Sequence, residues 1–429
     1  MKRTKTFRSV LCFALLLCLL LTLFPAPDAL AASSKSGTCG KDGDNLRWKL
    51  KDGVLTISGK GEMADYITED YDFGDDEDDW DNEDNWDEEE DEDNEEDEDG
   101  SLPPWPPWDK YSEKIKELRV LDGVTSIGNG AFSSCSLKSI SLPKGLKSIG
   151  AWAFAATRLK SIRLPKGLKS IGASAFSSCD SLKSAVLPES IESIEHDTFY
   201  LCGELESVTL PDNLIIIGDR AFCGCTSLKN VELPKSLNSL GEGAFAFCEH
   251  LTDIQLPQSL IEIIGNPFIG CRRLTEIRVP SQSTAFSQID GVLFSKDGAQ
   301  LISFPGGKDG EIYPVPEGTQ CIMKGAFYNC ARLKSVILSE RLTDIGEDAF
   351  GRCKHLKSVM LPEGLVNIGE CAFEECEELE QLFLPESLPS IGQDAFEDCD
   401  RLTLVVVEGS YAEQYCIENE LNYTYPDSL

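Results

Sequence analysis

Histidine is almost missing from this chain: its 429 residues hold three, His196, His250 and His355. No His-Glu-x-x-His, no Gly-x-Ser-x-Gly and no phosphate-cradling Gly-x-x-x-x-Gly-Lys occurs, which removes the common signatures of zinc hydrolases, serine hydrolases and nucleotide-binding enzymes. His250 and His355 each follow a cysteine by two residues, a ligand-like spacing. They fall at equivalent places of repeat units more than three rungs apart, over ~10 Å, so they cannot share one ion. A Cys–His nucleophile would need an exposed, acidified thiol with a positioned base. The repeat described below accounts for the thiols without one. The expectation is therefore a non-enzyme, with no catalytic residue, cofactor or metal ligand to name.

Basic charge is also scarce. Lys and Arg number 39 against 74 Asp and Glu, a formal net charge of −35. Such a balance keeps a chain soluble and repels nucleic acid and anionic lipid, so neither is expected as a partner. Long apolar runs are confined to one place. Val10 to Phe24 follows Lys2, Arg3, Lys5 and Arg8 and precedes Ala29-Leu30-Ala31, the pattern of a cleavable signal peptide over residues 1–31. An uncleaved anchor is the alternative. No later stretch approaches the ~20 apolar residues of a membrane span. Export to the outside or to the cell surface is the expectation, with no integral span in the mature chain.

What is abundant is repetition. Phe132, Phe154, Phe176, Phe199, Phe222, Phe245 and Phe268 recur at intervals of 22 or 23 residues, and Phe327, Phe350, Phe373 and Phe396 resume the series after a gap of 59. A fixed period of this length marks a solenoid, whose units bury their apolar faces only by stacking. One unit runs from Leu228 to Cys248. Leu228, Val231 and Leu233 read as a short strand with period-2 alternation. Pro234 stops it. Leu237 and Leu240 return to the core, Gly241 allows a tight turn, and a single helical or 3₁₀ turn is expected to plant Phe245.

Cysteine follows the phenylalanine by three residues in ten units, from Cys135 to Cys399, with Thr157 as the one replacement. Removing Cys12 and Cys18 with the signal peptide leaves 17 − 2 = 15 thiols, an odd number. The column reads as small buried hydrophobes rather than a disulfide framework. Any disulfide would sooner use Cys39, Cys223, Cys321, Cys371 or Cys416.

The units, such as Leu361-Pro362 through Cys376, follow Leu-Pro-x-x-Leu-x-x-Ile-Gly-x-x-Ala-Phe-x-x-Cys. They resemble the BspA-like leucine-rich-repeat family of bacterial secreted and surface proteins over roughly residues 37–66 and 102–426. The resemblance implies a leucine-rich-repeat solenoid and a role in adhesion to host matrix, host cells or other bacteria. It brings no catalytic set.

The ends read as caps. Residues 32–68 hold a β-hairpin (Trp48-Lys-Leu50, Asp52-Gly53, Val54 to Ile57), and residues 409–429 hold a short closing helix. The solenoid spans 102–408, with an expanded hairpin repeat at 280–320. Residues 69–101 are an acidic insertion: positions 69–99 carry 23 Asp or Glu and no Lys or Arg. A block of that composition cannot collapse and is expected to be disordered, a solvated spacer or a docking tail for a cationic partner. It lacks an EF-hand pattern, so no calcium site is assigned.

The fifth position of Leu-x-x-Ile-x-Leu points outward between two inward residues. From Ser141 to Arg278 it is mostly polar. Later it reads Ile337, Met360, Phe383 and Val406, with Leu404 beside them. An apolar column on a strand face marks a candidate partner-binding site, unless the C-terminal cap covers it. The leading reading is a surface binding protein whose partner is a protein or glycan of a host or bacterial surface. The alternative is an envelope protein whose acidic tract spaces it or binds cations.

Overall fold

The computed structural model describes residues 34–66 and 105–426; the expected signal peptide and acidic insertion lie outside the described residues. The chain winds as a stack of short rungs, most of which contribute two brief parallel strands and a turn; the strand expected over Leu228 to Leu233 is not formed, and that rung keeps only Ser239–Leu240. In the first strand column, Ser161–Arg163, Ser184–Val186 and Ser207–Thr209 pair in parallel and in register. In the second, Ser193–Ile194, Ile216–Ile217, Ser239–Leu240 and Glu262–Ile263 do the same.

The expected helical or 3₁₀ turn takes the form of i→i−3 turns, such as Ala175 N–H to Gly172 O at 3.3 Å and Ser177 N–H to Ser174 O at 3.0 Å, not of a regular helix. The residue two beyond each phenylalanine has a left-handed backbone, for example Ser134 (φ 55°), Leu201 (φ 53°), Phe247 (φ 54°) and Arg352 (φ 54°). This reversal turns alternate amides away from their own rung. Phe176 N–H donates to Thr198 O at 3.0 Å, Phe222 to Ala244 at 2.8 Å and Phe350 to Ala372 at 2.8 Å, each in the next rung. The turn thus forms a third inter-rung ladder. A regular helical turn would spend those donors internally and leave only the two strand ladders between rungs.

The phenylalanines form two stacked runs, Phe132 to Phe268 and Phe327 to Phe396. Phe199, Phe222 and Phe245 follow at 5.3 and 5.2 Å between ring centroids, tilted by 6° and 4°. All three are fully buried. Two members escape the sequence pattern, Trp108 at 24 residues before Phe132 and Phe304 at the regular 23 before Phe327 but without the Ala-Phe-x-x-Cys context. Trp108 lies on Phe132 at 5.2 Å and starts the first run, and Phe304 precedes Phe327 at 5.0 Å within the expanded repeat. Tyr415 of the closing helix ends the second, edge-on to Phe396 at 6.2 Å.

The N-terminal cap is a three-stranded antiparallel leaf, Lys35–Gly40, Gly43–Lys51 and Val54–Gly59, whose last strand pairs in parallel with Glu117–Val120 of the solenoid. The expected hairpin forms its second half. The expanded repeat contains a second leaf of Phe286–Ile289, Val292–Ser295 and Gln300–Ser303. At the other end, the helix Tyr411–Glu418 begins at Ser410, whose hydroxyl accepts from Glu413 N–H. Tyr423–Thr424 then pairs with Thr403–Val405 and covers the last rung.

All fifteen described cysteines are free thiols. Eight of the column donate to the phenylalanine carbonyl of the preceding rung at 3.0–3.3 Å, as Cys202 does to Phe176 and Cys376 to Phe350. A small, weakly donating side chain fits here because it satisfies a buried carbonyl without bringing water inside. Thr157, the one replacement, instead places its hydroxyl 3.2 Å from Cys179 Sγ of the next rung. Burial pushes the Cys135 and Cys271 thiols up to about 12.

Candidate interaction surface on the strand face

The outward column is real in its first three members and wrong in its last. Ile337 is 56% exposed, Met360 79% and Phe383 45%. Ile337 and Met360 are register partners on adjacent strands, Ser335–Ile337 and Ser358–Met360. Phe383 takes the same place on Gln381–Phe383, one rung further along.

Leu404 and Val406, at 1% and 0% exposure, do not belong to the surface. Leu379 and Leu382 are three residues apart, but Leu402 and Leu404 are two apart, so the final unit is one residue short. The deletion shifts the register. Leu404 pairs with the inward Leu382, and Val405 takes the outward place beside Phe383. A one-residue slip exchanges the faces of a strand. Val405 is itself buried, next to the closing strand Tyr423–Thr424. The apolar strip therefore ends at Phe383.

It begins one rung earlier than expected. Pro314 pairs with Ile337 and continues the column into the expanded repeat. There a cleft of about 220 Å³ is lined by Ile289, Phe304, Ile312, Tyr313 and Pro314, among others. Phe304 and Tyr313 meet edge-on at 4.9 Å in its wall. Lys308 bridges to Asp290 at 2.9 Å beside them. The cleft escaped the sequence reading because the expanded repeat departs from the unit pattern that located the column.

Polar side chains border the strip. Ser358 Oγ donates to Ser335 Oγ at 3.0 Å. His355 Nδ1 lies 2.9 Å from Glu378 Oε1, and Lys357 Nζ lies 3.1 Å from its other oxygen. His355 and Lys357 hold the Glu378 carboxyl below the usual range. An apolar centre with a charged rim is the usual composition of a protein-binding patch.

The histidines serve the scaffold. His250 Nδ1 donates to Thr226 O at 2.7 Å in the preceding rung, and His196 bonds Asp197 at 3.0 Å. Among the described residues, Asp348, Cys371 and Glu374 bring donor atoms within 4.8 Å of one another on the turn edge. Arg352 belongs to the same turns, its amide donating to Glu374 O at 2.8 Å. That trio lies on the turn edge, away from the strand face.

The geometry of stacked strand, strand and turn is that of a leucine-rich-repeat scaffold. The BspA type Leucine rich repeat region matches in six copies over residues 110–207, 192–308 and 311–424, and the chain belongs to that family of bacterial surface proteins. No curated protein matches the sequence. Among solved structures, a leucine rich cell surface protein from Faecalibacterium prausnitzii is 25% identical, with a TM-score of 0.54 over 90% of this chain and 98% of that one. A leucine-rich repeat protein from Bacteroides ovatus is 29% identical (TM-score 0.45, 73% and 84% covered), and one from Eubacterium ventriosum is 21% identical (TM-score 0.49, 87% and 85% covered). No helix among the described residues is long and apolar enough to cross a membrane.

Proposed function

We propose that this chain is an exported bacterial surface protein that adheres to a host or bacterial macromolecule through its strand face. The carrying observation is the exposed strip Pro314–Ile337–Met360–Phe383, which runs from the cleft in the expanded repeat to the closing cap. Met and Phe are favoured at the centres of interfaces. Their exposure is unusual here, where every other described phenylalanine is buried except the half-buried Phe247. The free face suits a protein or glycan surface large enough to span four rungs, a distance of ~15 Å.

The test is a binding screen of residues 32–429 against matrix proteins, glycans and bacterial surface extracts at physiological salt. The double variant Met360→Ser/Phe383→Ser runs beside it. The expected result is a partner whose affinity drops at least tenfold in the variant while its circular dichroism and melting curve stay unchanged. Equal binding by both proteins would move adhesion off this strip.

A further inference from the structure

The net charge of −35 hides an opposite sector. Residues 123–179 contain eight Lys or Arg and no Asp or Glu. All eight are exposed. The solenoid sets them in columns. Lys138 N–H donates to Lys116 O at 2.9 Å and Lys183 N–H to Lys160 O at 3.0 Å, so four lysines occupy one position in successive rungs. Lys169 N–H donates to Lys147 O at 2.7 Å and begins a second column. Arg163 adds a guanidinium on the outward strand face between Ser141 and Val186. Rungs repeat every ~4.8 Å, a spacing at which like charges repel. Among the described residues no carboxylate lies within 4 Å of any of the eight. Ion pairs appear only at the borders, at Arg119–Glu117 and Lys183–Glu204.

A counter-charge is attached to the same end of the array. The 38 residues between Tyr66 and Trp105 include the 23 acids of positions 69–99. Both flanks are fastened to the rung at 128–132. Tyr66 N–H donates to Asn129 O at 3.0 Å, and Trp108 stacks on Phe132 at 5.2 Å. That rung adjoins the basic columns, since Ala151 N–H donates to Asn129 Oδ1 at 2.9 Å. At ~3.3 Å per residue, 38 residues doubled back on themselves reach ~60 Å, whereas the basic sector covers ~15–20 Å of rungs. A tether of this length holds the acids at an effective concentration of order millimolar.

We propose that residues 69–99 dock on the lysine columns around Lys138, Lys160 and Lys169, so that this basic face is occupied from within the chain. The occupant is chosen by charge, by reach and by its two points of attachment. An external polyanion must first displace it. The inference is independent of the apolar strip, which lies at the other end of the array.

The experiment is zero-length carbodiimide cross-linking of residues 32–429, mapped by mass spectrometry at 50 mM and 500 mM NaCl. A mixture of isotope-labelled and unlabelled chains separates links within a chain from links between chains. The expected links join residues 69–99 to Lys138, Lys160, Lys166 and Lys169 within one chain. They should fall at least fivefold at high salt and in Lys138→Glu/Lys160→Glu/Arg163→Glu, whose sites are exposed. Links spread evenly over the lysines of 229–357, or found mainly between chains, would overturn the proposal. A second arm measures binding to heparin as a polyanion probe. Deleting 69–99 should raise affinity at least tenfold, and the triple variant should cancel the gain. An unchanged affinity on deletion would overturn the proposal as well.

Discussion

Asn266 and Gly325 stand 59 residues apart in sequence and are joined by a 2.8 Å hydrogen bond from the Asn266 amide nitrogen to the Gly325 carbonyl. The same side chain accepts from Phe268 N–H at 3.0 Å through its oxygen. Elsewhere that donor would reach the next rung; here the expanded repeat intervenes, and a buried side chain replaces the missing ladder bond. Lys324 adds a bridge across the joint, to Glu347 at 2.8 Å and to Glu242 at 3.6 Å. The core divides at this region into two clusters.

Asn266→Ala should therefore weaken the coupling between the two halves, which are expected to melt as one in the natural chain. One unsatisfied backbone donor remains, the Phe268 amide, at ~1–3 kcal/mol, since the Gly325 carbonyl keeps the Tyr328 N–H at 3.1 Å. Calorimetry should show one transition separating into two. A single transition displaced by less than ~0.5 kcal/mol would show that packing alone joins them.

The aromatic stack is expected to dominate local stability. Phe222 is fully buried between two nearly coplanar rings. Phe222→Ala should cost ~3–5 kcal/mol by urea unfolding. Because rungs contact mainly their neighbours, hydrogen exchange should rise most in residues 190–250 and least in the terminal caps.

The thiols should be inert in the folded chain. Twelve of the fifteen are buried and three half-buried. At pH 8 an aromatic disulfide reagent should label no more than three quickly, Cys321, Cys371 and Cys399, and all fifteen in denaturant. Rapid labelling of Cys225 or Cys248 would contradict the packing of the turn ladder.

Asp197 gives the array an acid-sensitive point. Burial alone would raise its carboxyl, but hydrogen bonds from His196 and Arg220 hold it below the usual range. Arg220 donates from Nε to Oδ1 at 2.9 Å and from Nη2 to Oδ2 at 3.0 Å. A depressed carboxyl stabilises the folded chain above the unfolded value of ~3.9 and loses that contribution as pH falls through the folded one. Asp197→Asn should lower stability by ~1–3 kcal/mol at pH 7, and the difference from the natural chain should shrink below pH ~4. A difference that grows toward low pH would refute the assignment.

The period, the inward leucines and the buried cysteine column were legible because each is a residue type forced by a repeated environment. The turn was not. The left-handed position is filled by Ser134, Ala156, Leu201, Phe247 and Arg352, and only Gly224 and Gly270 advertise it. The inter-rung bonds impose that conformation whatever the side chain. Trp108 and Phe304 were invisible for a related reason, since neither stands in a Gly-x-x-Ala-Phe-x-x-Cys unit. Ile337, Met360 and Phe383 were read correctly from alternation. Leu404 and Val406 were not, because the missing residue after Leu402 exchanges their faces. The basic sector was overlooked because a whole-chain charge averages it away.

Hydrogen bonds that run from each turn to the following one have a consequence for how such an array can change in size. Donor and acceptor always belong to successive copies of the same 22–23-residue pattern, as with Phe199 to Ala221 and Phe222 to Ala244. Duplicating or deleting one whole copy restores every such bond at the splice. Length is then nearly free to vary, and with it the number of side chains displayed on the strand face. Asn266 and Gly325 mark a junction where that freedom stops, because their bond belongs to neither copy and a new unit inserted there would sever it.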